Sequence, residues 1–211
     1  MDRRSDVVAG SAERMADYSE SLLVHFRRAE SLREAVVRYP SVDLDRRQLR
    51  DLELLLNRAF YPLSGYMNRV DYEGVLESMR LADGTVWPVP VCLDVSEEAA
   101  AVCEKGAAVA LRDQEGFPLA VLKVSETWKP DKRREALAVF GTDNPDAHPG
   151  VRDLLERERP WYVGGTVEGI HLPLHHDFRE LRLTPSDTYR LFSQSGWRNV
   201  LGVHATRELH C

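Results

Sequence analysis

Residues 107–128, AAVALRDQEGFPLAVLKVSETW, place two strand-like segments around one turn. Two apolar runs rich in Val, Leu and Ala, Ala107–Asp113 and Pro118–Trp128, flank the tetrapeptide Asp113-Gln-Glu-Gly116. Strand-length apolar runs on either side of a polar, glycine-ended turn predict a β-hairpin. The strand texture extends both ways. VWPVPVCLDV (86–95) precedes the hairpin and WYVGGTVEGIHLPL (161–174) follows it, with Gly164-Gly165 as a bulge or turn.

Outside this β-rich centre the period changes. SLREAVVRYP (31–40) sets Leu32, Ala35 and Val36 on one helical face and stops at Pro40, which cannot continue a helix. Leu49, Leu52 and Leu56, with Leu54 and Leu55 between them, predict a second and largely buried helix, with Asp43 or Asp45 near its start. YPLSGY (61–66) is a turn, DYEGVLESMRL (71–81) a short helix, and DKRREALAVFG (131–141) another. Near residue 181 the texture shifts again. Thr184 is an N-cap, Pro185 takes the first helical position, Asp187 falls three after the cap, and Gly196 closes the helix. The apolar run Val200–Val203 follows and predicts a strand over 199–203, as at the opening of an α/β unit.

Composition bounds the partners. The chain has 211 residues, 43% hydrophobic and 29% charged, with four Trp, seven Tyr and six Phe, enough for a substantial core. Its net charge of −6 disfavours nucleic acid and anionic membranes as partners. The N-terminus has no apolar signal region and no run reaches membrane-spanning length, so a cytoplasmic protein is expected. Three cysteines without CxxC spacing support neither a disulfide framework nor a zinc cluster. Cys92 reads as a small apolar strand residue.

Three features invite chemistry and are read as structural. His171, His175, His176 and Asp177 could be drawn as a metal site, but adjacent strand residues point to opposite faces. The basic run KPDKRRE (129–135) contains Asp131 and Glu135 and reads as a solvated helix face. YVGG lacks the GxGxxG spacing of a phosphate loop.

Six collinear stretches resemble the sulfate adenylyltransferase (ATP sulfurylase) family. They are RQLRDLELLLNRAFYPLSGYM (47–67), MRLADGTVWPVPVCLDV (79–95), ALRDQEGFPLAVLKV (110–124), WKPDKRREALAVFGTDNPDAHPGV (128–151), YVGGTVEG (162–169) and DFRELRLTPSDTYRLFSQSGW (177–197). The resemblance implies an α+β fold: a PUA-like β-barrel with surrounding helices over residues 21–180. A flexible arm would precede it over 1–20, and a truncated start of a Rossmann-like catalytic domain, helix and strand, would follow over 181–211. It also implies a reaction, the joining of sulfate to the α-phosphate of MgATP to give adenosine 5′-phosphosulfate and pyrophosphate. The family carries this on a Q-T-R-N-P-x-H-x-x-H loop. Aligned from Gly196-Trp197, the loop places Gln on His204, Thr on Ala205, Arg on Thr206, Asn on Arg207 and Pro on Glu208, and keeps one histidine as His210. A one-residue slide recovers Thr206-Arg207 as the Thr-Arg pair. His204, Thr206, Arg207 and His210 are therefore the family-loop positions for substrate, in a degenerate loop. Arg58 stands where the family usually has Gly, so a positive φ there would cost stability.

In-line attack by sulfate needs concentrated positive charge and oriented donors on two anions. No catalytic residue is expected in this chain alone, nor any intrinsic cofactor or metal, with MgATP entering only on a complete catalytic domain. A non-catalytic scaffold or interaction module of sulfate activation is expected, self-associating or bound to an adenylylsulfate kinase or a sulfurylase chain. The alternatives are a subunit or fragment of the enzyme completed by another chain, and a truncated gene product.

Overall fold

The hairpin at 107–128 forms as expected and becomes the middle of the sheet. A computed structural model describes residues 21–203. Its helices are α1 (Phe26–Ala35), α2 (Arg46–Leu56), α3 (Arg69–Ser78), α4 (Glu97–Val102), α5 (Lys132–Phe140), α6 (Pro149–Arg152) and α7 (Pro185–Gln194). Its strands are β1 (Ser41–Asp43), β2 (Gly65–Tyr66), β3 (Leu93–Val95), β4 (Ala108–Arg112), β5 (Pro118–Trp128) and β6 (Trp161–Gly169). A π-helical turn, Asp153–Arg157, extends α6. The expected arm over 1–20 lies outside the described residues.

The strands make one mixed sheet in the order β1-β4-β5-β6-β2, with β3 also on β6. Only β1 runs parallel to its neighbour, Val42 lying beside Leu111. The hydrogen-bonded path has two ends rather than closing on itself among the described residues. The hairpin turn is held by Asp113, whose Oδ1 accepts from Glu115 N at 3.0 Å and Phe117 N at 2.8 Å. Gly116 takes a φ of +87° there, which a side chain would oppose.

The apolar residues of β4 and β5 alternate between two cores because successive side chains leave opposite faces. Val109, Leu111, Ala120 and Leu122 join Leu52, Leu55 and Leu56 of α2 in the main core. Ala110 and Val121 instead meet Ala29, Leu32 and Val36 of the α1 segment. A sheet covered on both faces explains why the β5 run reads as continuously apolar rather than alternating.

Three local expectations change on folding. The bulge lies opposite the glycines rather than on them: the register jumps between Val124 and Glu126, leaving Ser125 as the extra residue, while Gly164 and Gly165 stay within β6. Gly164 is needed for a close approach, since a Cβ there would sit 2.3 Å from Met67 O. Within 86–95 only Leu93–Val95 is a strand, because Pro88 and Pro90 remove ladder donors, and Cys92 precedes the strand. At Arg58 the condition set by the sequence is met, with a φ of +68°. Its guanidinium donates to Leu63 O at 2.9 Å and lies 4.9 Å from the Tyr61 ring centroid.

The third change is at the expected strand over 199–203, which does not form: the described residues offer it no ladder partner, and Val200, Leu201 and Val203 are exposed. The helix before it does form, with the Thr184–Asp187 capping box in place. After Ile170, none of the described residues is fully buried.

Candidate functional site

Three polar side chains are buried among the described residues, Gln48, Asp94 and Glu135. They organise a charged cluster at one end of the sheet. Asp45 caps α2 in a capping box with Gln48, which turns Arg47 and Asp51 of the first turns toward β3. Asp94 on β3 receives the Arg47 guanidinium in an ion pair. It also accepts from Gln48 Nε2 at 2.8 Å and from the Arg159 backbone N–H at 2.8 Å. Glu158, just after the π-helical turn, lies 3.9 Å from Arg47 Nη1 and 3.8 Å from Lys132 Nζ. The Glu135 carboxyl points from α5 into a ring of Tyr72, Trp128 and Tyr162. A cleft of about 360 Å³ opens over Arg47, Asp94 and Glu158. A smaller chamber of about 140 Å³ reaches from Arg47 and Asp51 to Glu135 and Tyr162.

The electrostatics follow from burial set against pairing. For Asp94, burial would raise the pKa, yet Arg47 and the bonds from Arg159 and Gln48 prevail and hold it below the usual carboxylate range. Burial acts to lower Arg47, and the charges of Asp94, Glu158 and Asp51 overcome it. Asp51 is pushed up to about 6 by burial, which Arg47 offsets only in part. Burial, helped by the neighbouring Glu158 charge, pushes Glu135 up to about 7. Burial also raises Glu158 and lowers Lys132. Cys92, against the same ring cluster, is raised by burial and is no activated thiolate.

This arrangement is suited to clamping. It joins α2, β3, α5 and the start of β6 through charges that neutralise one another. Arg47, Lys132 and Arg159 each face a carboxylate, those of Asp94, Glu158 and Asp45 in turn. Among the described residues, no group of three or more His, Cys, Asp and Glu side chains is placed to hold a metal ion.

The residues singled out from sequence fall elsewhere. His204, Thr206, Arg207 and His210 lie outside the described residues. His175 pairs with Glu53 at 2.7 Å. In the basic run Arg134 is paired with Glu73 and Glu77, and Lys132 Nζ donates to Leu154 O at 3.1 Å. Sequence reasoning missed the cluster itself. Its one local signal was an acidic residue, Asp94, inside the apolar run Val91–Val95.

Residues 17–172 match the family model described as "PUA-like domain". The chain is 43% identical over 187 residues to a sulfate adenylyltransferase of Phaeosphaeria nodorum, covering 87% of this chain and 32% of that protein. It is 40% identical over 185 residues to the sulfate adenylyltransferase of Mycosarcoma maydis, covering 86% and 32%. Among solved structures it resembles one described as "Hexameric APS kinase from Thiobacillus denitrificans", with a TM-score of 0.67 and 33% identity over 85% of this chain and 31% of that one. The chain thus spans about a third of the length of these relatives.

Proposed function

The chain belongs to the PUA-like domain family, in the form carried by sulfate adenylyltransferases, and from that premise we propose that it serves sulfate activation as a non-catalytic scaffold or interaction module. In this reading residues 21–180 are a PUA-like domain and residues from 181 onward are the start of a Rossmann-like catalytic unit. The observation that carries the reading is the state of the charges. Adenylyl transfer must hold sulfate and a triphosphate together with unneutralised cations and aligned N–H groups. In the charged cluster the cations Arg47, Lys132 and Arg159 are instead matched by Asp45, Asp94 and Glu158. The cluster secures the domain's own elements. The partner proposed is an adenylylsulfate kinase chain, a sulfurylase chain or a second copy.

A second reading rests on the exposed apolar surface beyond the sheet. Leu181, Leu191, Trp197 and Leu201 are exposed on a helix and tail that bury no residue fully. That surface favours a subunit or fragment of a sulfate adenylyltransferase, completed by another chain and then forming adenosine 5′-phosphosulfate and pyrophosphate from ATP and sulfate. One assay separates the two. Pyrophosphate release from MgATP with sulfate, or with molybdate, is measured for the purified 211-residue chain alone and with a candidate partner. The scaffold reading expects no turnover by the chain alone, and no gain over the partner's own rate that depends on this chain supplying reacting groups. Turnover by the chain alone overturns it.

A further inference from the structure

The contacts around Tyr162 cannot all be two-centre hydrogen bonds unless a carboxyl group carries a proton. Tyr162 Oη lies 3.0 Å from Glu135 Oε2 and 3.0 Å from Glu158 Oε2. Tyr72 Oη lies 3.0 Å from Glu135 Oε2. As two-centre bonds these three oxygen–oxygen contacts need three protons, and two phenols supply two. With both glutamates ionised, Tyr162 would donate to one and press its lone pairs against the other inside a buried site, an arrangement with a large desolvation and repulsion cost.

We infer that Glu135 and Glu158 share one proton across the Tyr162 hydroxyl in the folded protein, and that this proton latches the segment 131–159 onto the sheet. The arrangement that satisfies every contact has Tyr72 donating to Glu135, the Glu135 carboxyl donating to Tyr162, and Tyr162 donating to Glu158. The surroundings place the proton on Glu135. Glu158 faces Lys132 of α5 and Arg47 of α2, which favour its ionised form. Glu135 faces Tyr72 of α3, Tyr162 of β6, Cys92 before β3 and the Glu158 carboxylate, with Lys132 on its own helix the cation that opposes the shift. Asp51 of α2 and Asp94 of β3 add negative charge to the Arg47–Glu158 side.

The latch has a direction in pH. A carboxyl whose folded value is raised contributes stability that is complete below its ordinary value, here 4.5, and is lost as pH rises through about 7. Losing the proton puts two adjacent carboxylates on one phenol, and the attachment of α5 and of the residues after the π-helical turn weakens. Glu158, and Asp51 at about 6, change in the same sense, so the test isolates Glu135.

Side-chain carboxyl carbon shifts are followed by NMR from pH 4 to 9 in the wild-type chain and in E158Q. The inference expects the Glu135 midpoint well above 4.5 in the wild type. In E158Q it expects a lower midpoint, because the amide can then supply the third hydrogen bond. A Glu135 midpoint at or below the ordinary value in the wild type overturns it. Urea unfolding supplies the second readout. E135Q, whose amide mimics the protonated carboxyl, loses less stability than wild type from pH 5 to 8, and the two folding constants diverge by at least about tenfold, the equivalent of one pKa unit. Parallel pH profiles overturn the inference. If E135Q does not fold, the carboxyl titration in the wild-type chain decides alone. Amide protection in 131–159, corrected for intrinsic exchange, falls over the same pH range.

Discussion

Replacing Asp94 with alanine tests whether the charged cluster holds the domain together. Asp94 is 1% exposed, and its carboxylate is the meeting point of α2, β3 and the chain entering β6. The D94A cost can be worked contact by contact. The Arg159 backbone N–H loses its acceptor at 2.8 Å, about 1–2 kcal/mol for an orphaned amide donor. Gln48 Nε2 loses one acceptor but keeps Asp94 O at 2.7 Å, which limits its share to about 0.5 kcal/mol. The Arg47 guanidinium is 39% exposed and retains Asp51 at 3.3 Å, so water and that carboxylate absorb much of the loss, leaving about 1 kcal/mol. The sum is about 3 kcal/mol, which for a domain of this size lowers Tm by about 6–12 °C. Urea and thermal unfolding of wild type, R47A, D94A and the double variant measure it. The double variant costs less than the sum of the singles, because the two side chains share one interaction. A D94A loss below about 1 kcal/mol with an unchanged urea m-value would refute the clamp.

Three further outcomes follow from local geometry. At position 58, where φ is +68°, glycine is more stable than alanine by about 1 kcal/mol in urea unfolding of R58G and R58A; both lose the Leu63 and Tyr61 contacts, so their difference reads the backbone alone. An equal stability of the two variants contradicts that conformation. In G164A the new Cβ meets Met67 O at 2.3 Å, so β6 must shift from the 67–68 segment and stability drops by about 2 kcal/mol or more, seen as a lower urea midpoint. T184A removes the capping box of α7, costing about 1 kcal/mol locally. Since α7 buries no residue fully, amide exchange accelerates within α7 while the global unfolding midpoint stays in place.

The helix starts were legible because their signals are local. Thr184, Pro185 and Asp187 sit within one turn, and Asp45 with Gln48 forms the same kind of box. The hairpin was legible for the same reason, its turn bracketed by two apolar runs. The charged cluster was not. Gln48, Asp94, Glu135, Glu158 and Tyr162 span more than a hundred positions, and nothing in the residues beside Glu135 distinguishes it from the solvated helix face that KPDKRRE suggests. The proposed substrate positions His204, Thr206, Arg207 and His210 came from the family resemblance alone.

Neighbouring residues alone settle the capped helices, one hairpin, an acidic balance, and the collinear segments that identify the family. Tertiary structure decided the rest. It left Val200–Val203 out of any ladder, moved the bulge from Gly164 to Ser125 on the facing strand, drove Arg58 into the left-handed region, and brought Glu135 and Glu158 to one phenol. The physical reason is that a strand's partner, a bulge's side and a carboxyl's proton all depend on atoms brought close only by the folded chain, whereas a cap or a turn closes over three or four residues.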